Sequence, residues 1–285
     1  MSPAQTVIGV DFSSAPTRRK PITVAVGELT AADGAAPLYR LREIRELESL
    51  PAFEAFLLEP GGWLGGFDLP FGQPRALIEH EGWPTSWEAF VSFYCHCPKE
   101  TLRDVFRSWC NARPPGSKFA WRKADKPAGS SPAMRWTNPP VAWMMHAGIG
   151  RMLAAGLAFP AHHHPSSRPP RAASTKIALE AYPAFTARQI CRGSYKSDTP
   201  SAWTDARTAN RRTILRGLCQ DAAGLGVTLE ASRRWQQRLV ADARGDLLDA
   251  VICSLQAAHA ASQPRYGLPS DLDVLEGWIA SVPPR

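Results

Sequence analysis

The sequence predicts an α/β protein, a sheet of several strands flanked by helices and interrupted by one long insertion. Three observations point there. The chain opens with three β-rich runs joined by short turns. Two later runs of strand character each carry a carboxylate near their C-terminal end. Between those two lies a segment, 73–176, rich in Trp and in Lys and Arg, that keeps no strand rhythm.

The first run, 7–14, reads Val-Ile-Gly-Val-Asp-Phe-Ser-Ser, an apolar β-branched stretch with Asp11 at its far end. This is the pattern of a buried strand. A carboxylate in that place needs a cation, a metal ion or a nest of donors, since an unpaired buried charge costs on the order of several kcal/mol. Residues 15–21 form a turn holding Arg18, Arg19 and Lys20, and 22–26 is the next β-rich run, so the first two strands make an antiparallel hairpin. After a turn over 31–37, the third strand is 38–47, where Leu38, Arg40 and Arg42 alternate with Tyr39, Leu41 and Glu43. Phe53, Phe56 and Leu57 give 50–58 helical spacing, and Pro60-Gly61-Gly62 stops that helix. The fourth strand, 63–72, contains Gly65 and Gly66, which admit close approach of other backbone, and Asp68, just ahead of the turn imposed by Pro70 and Gly72.

Within 73–176 two helices are expected, near 87–109 and 141–157, followed by a loop over 159–174. Six of the ten Trp residues lie in this insertion, and 111–176 holds ten Lys or Arg against the single acid Asp125. Most of the Trp side chains are expected to form a small core, with one or two left to stack on bases. The fifth strand, 176–183, carries Glu180 and is closed by Pro183. A basic helix over 203–220 follows, with Ile214, Leu215 and Leu218 on its apolar side and Arg207, Arg211, Arg212 and Arg216 on its polar side. The helical region 232–261 is broken at Gly245, and Asp246 opens a new helix with Leu248, Val251, Ile252 and Leu255 on its apolar face. The whole reads as one domain, 1–285, with an insertion at about 73–176.

At 285 residues, 44% hydrophobic and 21% charged, the composition is that of a foldable globular chain. No apolar run approaches the ~18 residues of a membrane span and the N-terminus lacks a secretory pattern, so a soluble cytoplasmic protein is expected. The six cysteines are scattered as reduced thiols would be. Cys95-His96-Cys97 with Cys110 lacks the usual zinc spacing, and His162-His163-His164 lies in a Pro- and Ser-rich stretch, so neither is expected to ligate metal. A net charge of +7 favours a polyanionic partner.

Asp11, Asp68 and Glu180 each fall at the C-terminal end of a strand, and Asp246 and Asp249, three apart in the first turn of a helix, share one face. Neighbouring strands would bring these acids together as oxygen ligands for one or two Mg2+ or Mn2+ ions. Two such ions about 3.5–4 Å apart serve phosphodiester cleavage. Candidate contacts to a nucleic-acid backbone are Lys196, Arg207, Arg211 and Arg212, with Lys123 and Arg135 from the insertion.

The motifs Val-Ile-Gly-Val-Asp-Phe-Ser-Ser, Gly-Gly-Phe-Asp-Leu-Pro-Phe-Gly, Leu-Glu-Ala-Tyr-Pro-Ala, Ser-Tyr-Lys, Asp-Leu-Leu-Asp-Ala-Val and the late Glu-Gly-Trp-Ile resemble, in order, the DUF429 family of predicted ribonuclease H-like nucleases. The resemblance spans nearly the whole chain. It implies a ribonuclease H-like mixed sheet, three antiparallel strands extended by parallel ones, and an acidic site similar to that of the RuvC-type resolvases. Carried over by motif, Asp11, Asp68 and Asp249 would bind the metal pair, with Asp246 supporting. Glu180, in the Glu-x-Tyr-Pro motif, would be the fourth acid.

Each residue also has an ordinary role open to it. Asp11 and Asp68 suit turns, Glu180 suits an ion pair with an arginine, Asp246 suits a helix N-cap, and the arginines of 203–220 suit a solvated helix face. Two other functions stay open beside the nuclease: a nucleic-acid-binding module of the same fold without catalysis, and a phosphotransferase of the actin and sugar-kinase type. Against the last, Phe12-Ser13-Ser14-Ala15-Pro16 has no glycine with which to approach a phosphate.

Overall fold

The structure is a computed structural model and describes residues 4–30, 36–163 and 175–283. Most of the expected turn at 31–37 and of the loop at 159–174, with His164, lies outside the described residues.

A six-stranded mixed sheet forms the centre. Strands β1 (Gln5–Asp11), β2 (Ile22–Thr30) and β3 (Leu38–Leu47) are antiparallel neighbours. Strand β4 (Trp63–Asp68) adds parallel to β1, and β5 (Lys176–Glu180) adds parallel to β4. A three-residue strand, β6 (Thr228–Glu230), lies parallel to β3 at the far edge, which gives the order β5-β4-β1-β2-β3-β6. Because β1, β4 and β5 run the same way, their C-terminal ends open on the same edge of the sheet.

Helices cover both faces, as parallel strands require. One face carries Ile8, Val10, Phe67 and Ala178 and is covered by α1 (Leu50–Leu58) together with the insertion. The insertion contributes α2 (Arg75–His80), α3 (Trp87–His96), α4 (Lys99–Asn111), the single turn α5 (Asp125–Ala128) and α6 (Val141–Ala154). The one helix expected near 87–109 is two, because Pro98 cannot continue the first and serves as the N-cap of the second. Trp83, Trp87 and Trp109 are buried in this layer's core, whereas Trp121 is exposed.

The other face carries Val7, Ala25, Leu64, Ile177 and Leu179 and is covered by α7 (Pro183–Ile190), α8 (Asp205–Cys219), α9 (Arg233–Ala241) and α10 (Asp246–Ala261). β5 ends at Glu180, short of the expected end at 183, and Pro183 instead starts α7, as proline at a first helical position does. Among the described residues no helix is long and apolar enough to cross a membrane.

Two glycines set the position of α10. Gly9 of β1 and Gly66 of β4 are paired in register, two residues before Asp11 and Asp68 and on the same face as they are. A Cβ on Gly9 would stand 2.0 Å from the Ala250 carbonyl oxygen, and one on Gly66 would stand 2.3 Å from that of Cys253. The helix backbone therefore lies directly in a trough made by the missing side chains. Its first turn is thereby delivered to the ends of β1 and β4.

Candidate active site

Asp11 and Asp68 are the last residues of their strands and sit opposite one another in the β1–β4 register. In a parallel pair, opposed residues point to the same face, here the face on which α10 lies. Both carboxylates are only partly exposed, and among the described residues no hydrogen bond or ion pair reaches either. Burial, then the charge of Asp249, raises Asp11 well above the ordinary carboxylate range, while Lys196 pulls the other way. Burial likewise pushes Asp68 up to about 7, against the pull of Lys196.

Asp249, in the first turn of α10, is fully buried and firmly held. Tyr195 donates its hydroxyl to Oδ1 at 2.6 Å, and the Lys196 ammonium donates to Oδ2. Lys196 bonds to Asp249, and its charge also lowers the pKa values of Asp11, Asp68 and Asp246 against the effect of burial. Burial works most strongly against the charge on Lys196, but Asp249, Tyr195 and Asp11 together outweigh it and the pKa is raised.

The loop bearing Tyr195 and Lys196 is fastened from below. Arg211 of α8 is buried, donating Nη1 to the Tyr195 carbonyl at 2.6 Å and Nε to the Val240 carbonyl at 2.8 Å. Ser197 donates its amide to the Ala243 carbonyl, and Gly245, in the left-handed conformation at φ 79°, turns the chain into α10 beneath Lys196. The amides of Arg244 and Leu247 both donate to Asp242. Asp246, 8% exposed, has an oxygen without a hydrogen-bond partner and Arg244 Nε at 3.5 Å. Burial, then the charge of Asp242, raises Asp246 to about 6.

The structure thus brings together four of the five expected acids, Asp11, Asp68, Asp246 and Asp249, with Lys196. It does not bring in Glu180. That residue pairs with Phe67 in the β4–β5 register, one position out of step with Asp68, so its side chain points to the opposite face of the sheet. There Arg122 donates Nη2 to Oε1 at 2.6 Å and Nη1 to Oε2 at 2.7 Å, and the Phe71 amide donates to Oε2 at 3.0 Å. Arg122 also holds the buried Asp125, so Glu180 belongs to a buried ion network under the insertion.

The basic residues divide in the same way. Arg211 is structural, its guanidinium spent on carbonyls and on Thr208, not presented to solvent. Arg207 is half-buried and donates to the Ala202 carbonyl, while Arg212 is exposed. Lys123 is exposed beside Asp271, and Arg135 is half-buried with its Nε unpartnered. Both belong to the insertion layer, on the face away from α10. His162 is likewise buried there, its ring stacked on Trp87 at 4.2 Å.

Among the described residues no group of three or more His, Cys, Asp or Glu is disposed to hold a metal ion. The donor set at the strand ends is nevertheless all carboxylate, suited to a hard cation, and two of its members have no hydrogen-bond or ion-pair partner among the described residues. No family model, curated protein or solved structure matches the chain. What the site can do has to be read from its own residues. Tyr195 was not singled out from the sequence, although its place beside Lys196 in the Ser-Tyr-Lys motif was a signal that could have found it.

Proposed function

We propose that the protein is a metal-dependent phosphodiester hydrolase acting on nucleic acid, with Asp11 and Asp68 as the ligands of one Mg2+ or Mn2+ ion. One observation carries this: two carboxylates stand side by side at adjacent parallel strand ends with no described partner. Ionised together they repel, and either a proton or a divalent cation relieves them. Mg2+ commonly takes one or two protein carboxylates, keeps several waters and adds substrate phosphate oxygens, so two free ligands suffice. Bound there, such an ion supplies polarisation of a phosphate oxygen and a water activated for attack.

The chain's own residues supply the rest. Lys196 places a positive charge beside the pair, where charge develops on a phosphoryl group in transfer. Asp249 and Tyr195 fix where that ammonium stands, and Arg211 fixes the loop that carries both. The order β5-β4-β1-β2-β3, with β2 antiparallel and the acids Asp11, Asp68 and Asp249 on β1, β4 and α10, supports a ribonuclease H-like layout.

A second reading, a nucleic-acid-binding module without turnover, is favoured by the bond between Lys196 and Asp249, which already supplies a cation to one of the acids. Cleavage assays on single-stranded, duplex, hybrid and branched nucleic acids with Mg2+ or Mn2+ separate the two. The hydrolase predicts turnover that disappears in the Asp11→Asn, Asp68→Asn double variant. Binding with no turnover under either metal would favour the module.

A further inference from the structure

Helices α8 and α9 flank an open cleft of about 660 Å3 lined by Arg212 and Arg216 on one side and Arg233 on the other. Thr208, Gln236 and Gln237 also line it, and no acidic side chain does. Among the described residues none of the three arginines has an ion pair or a side-chain hydrogen bond, although arginines elsewhere on the surface are paired, as Arg40 is with Glu230 and Arg42 with Glu28. Three unneutralised guanidinium groups sharing one cleft repel each other. They are tolerable in water and favourable only around an anion.

The cleft is tied to the loop of the candidate active site through Arg211. Arg211, between Arg212 and the start of the helix, bonds at once to Val240, which lines the cleft, and to the Tyr195 carbonyl. On the other side of Lys196 in sequence, the Ser197 carbonyl accepts from Trp203 Nε1 at 2.9 Å. Trp203 is 49% exposed, an uncommon position for so large an apolar ring, and its N–H is fixed while its face remains open. Lys196 therefore lies on a loop tied on one side to an arginine cleft and on the other to an exposed indole.

We infer that the α8–α9 cleft and Trp203 form a track for single-stranded nucleic acid, the arginines taking successive backbone phosphates and the indole stacking on an unpaired base. Guanidinium groups suit phosphate by geometry, and an aromatic platform beside a basic groove is the chemistry of sequence-tolerant single-strand binding. A duplex keeps its bases stacked and offers nothing to the indole. The inference rests on the hydrolase reading only for what happens to the strand at Lys196.

The test is fluorescence anisotropy of a labelled oligothymidylate titrated with the full chain in EDTA over a range of salt, beside a duplex of mixed sequence. The wild type is expected to prefer the single strand. The triple variant Arg212→Gln, Arg216→Gln, Arg233→Gln is expected to lower the slope of log affinity against log salt by about 2, at ~0.7 for each phosphate no longer neutralised. The corresponding Arg→Lys triple variant keeps the charges and should retain the slope. Trp203→Ala is expected to weaken the single strand roughly 5- to 100-fold and leave the duplex unchanged. An unchanged slope in the Gln variant, or no single-strand binding by wild type, would overturn the track. Equal duplex affinity with no effect of Trp203→Ala would overturn its assignment to single strands. Because binding is read without metal, an inert carboxylate centre would overturn the hydrolase and leave the track standing.

Discussion

Asp11 and Asp68 are direct neighbours across two parallel strands, and among the described residues nothing donates to either carboxylate. Such a pair is destabilising when both members are ionised and becomes favourable when a cation is added. The protein holds this arrangement because α10, seated on Gly9 and Gly66, and the Lys196 loop together wall it in.

The first prediction concerns pH. The folded pKa of Asp68, about 7, lies above its ordinary 3.8, so the folded state binds more protons than the unfolded state between those values. The stability this group contributes is present below about pH 4 and is lost as pH rises through about 7. Without metal, Asp68→Asn should therefore melt higher than wild type at pH 8 and show a smaller difference at pH 5. Mn2+ should raise the wild-type melting temperature more at pH 8 than at pH 5.5, since fewer protons must be displaced. Melting curves at the two pH values check both statements.

Lys196 is bonded to Asp249 and thereby withholds a third carboxylate from any ion at the pair. Lys196→Met removes that cation and frees an Asp249 oxygen. The stoichiometry of Mn2+, read by electron paramagnetic resonance, should rise from one ion in wild type to two in the variant. One ion in both would show that Asp249 is not available whatever its partner.

Gly66 is a packing requirement. A methyl group there must displace the Cys253 carbonyl, 2.3 Å away, and the helix with it. Gly66→Ala should lose about 1–3 kcal/mol or more in urea denaturation, as overpacked cores do. Turnover should fall as well, because Asp249 and Lys196 move with α10.

Glu180 should behave as a structural acid. Glu180→Gln leaves Arg122 buried with one carboxylate in place of two, and breaking a buried pair costs on the order of 3 kcal/mol. Its Mn2+ affinity should match wild type, as measured by calorimetry. A variant as stable as wild type that binds Mn2+ poorly would return Glu180 to the metal site.

Much of this arrangement was legible in the sequence. The strands β1 to β5 announce themselves by β-branched runs ended by Pro, Gly or polar turns, and the strand-end acids follow from where those runs stop. The broken helix at Gly245 was legible for the same reason, since Asp246 and Asp249 follow a glycine that can take a positive φ. The face on which Glu180 lies was not. Both faces of this sheet are buried, so β5 shows no apolar–polar alternation to assign its sides, and the register with β4 is a tertiary fact. The three residues of β6 are too few for any period to register. Arg211 looked like its exposed neighbour Arg212, because nothing local distinguishes a guanidinium that will find three acceptors within the protein from one that will meet water.

The most direct measurement is a Mn2+ titration of the wild-type chain and of the Asp11→Asn, Asp68→Asn double variant, read by electron paramagnetic resonance at pH 8. Saturable binding of one ion by wild type that is absent from the folded double variant is the predicted result. No saturable binding by wild type, or the same binding by both proteins, would contradict a metal centre at the ends of β1 and β4.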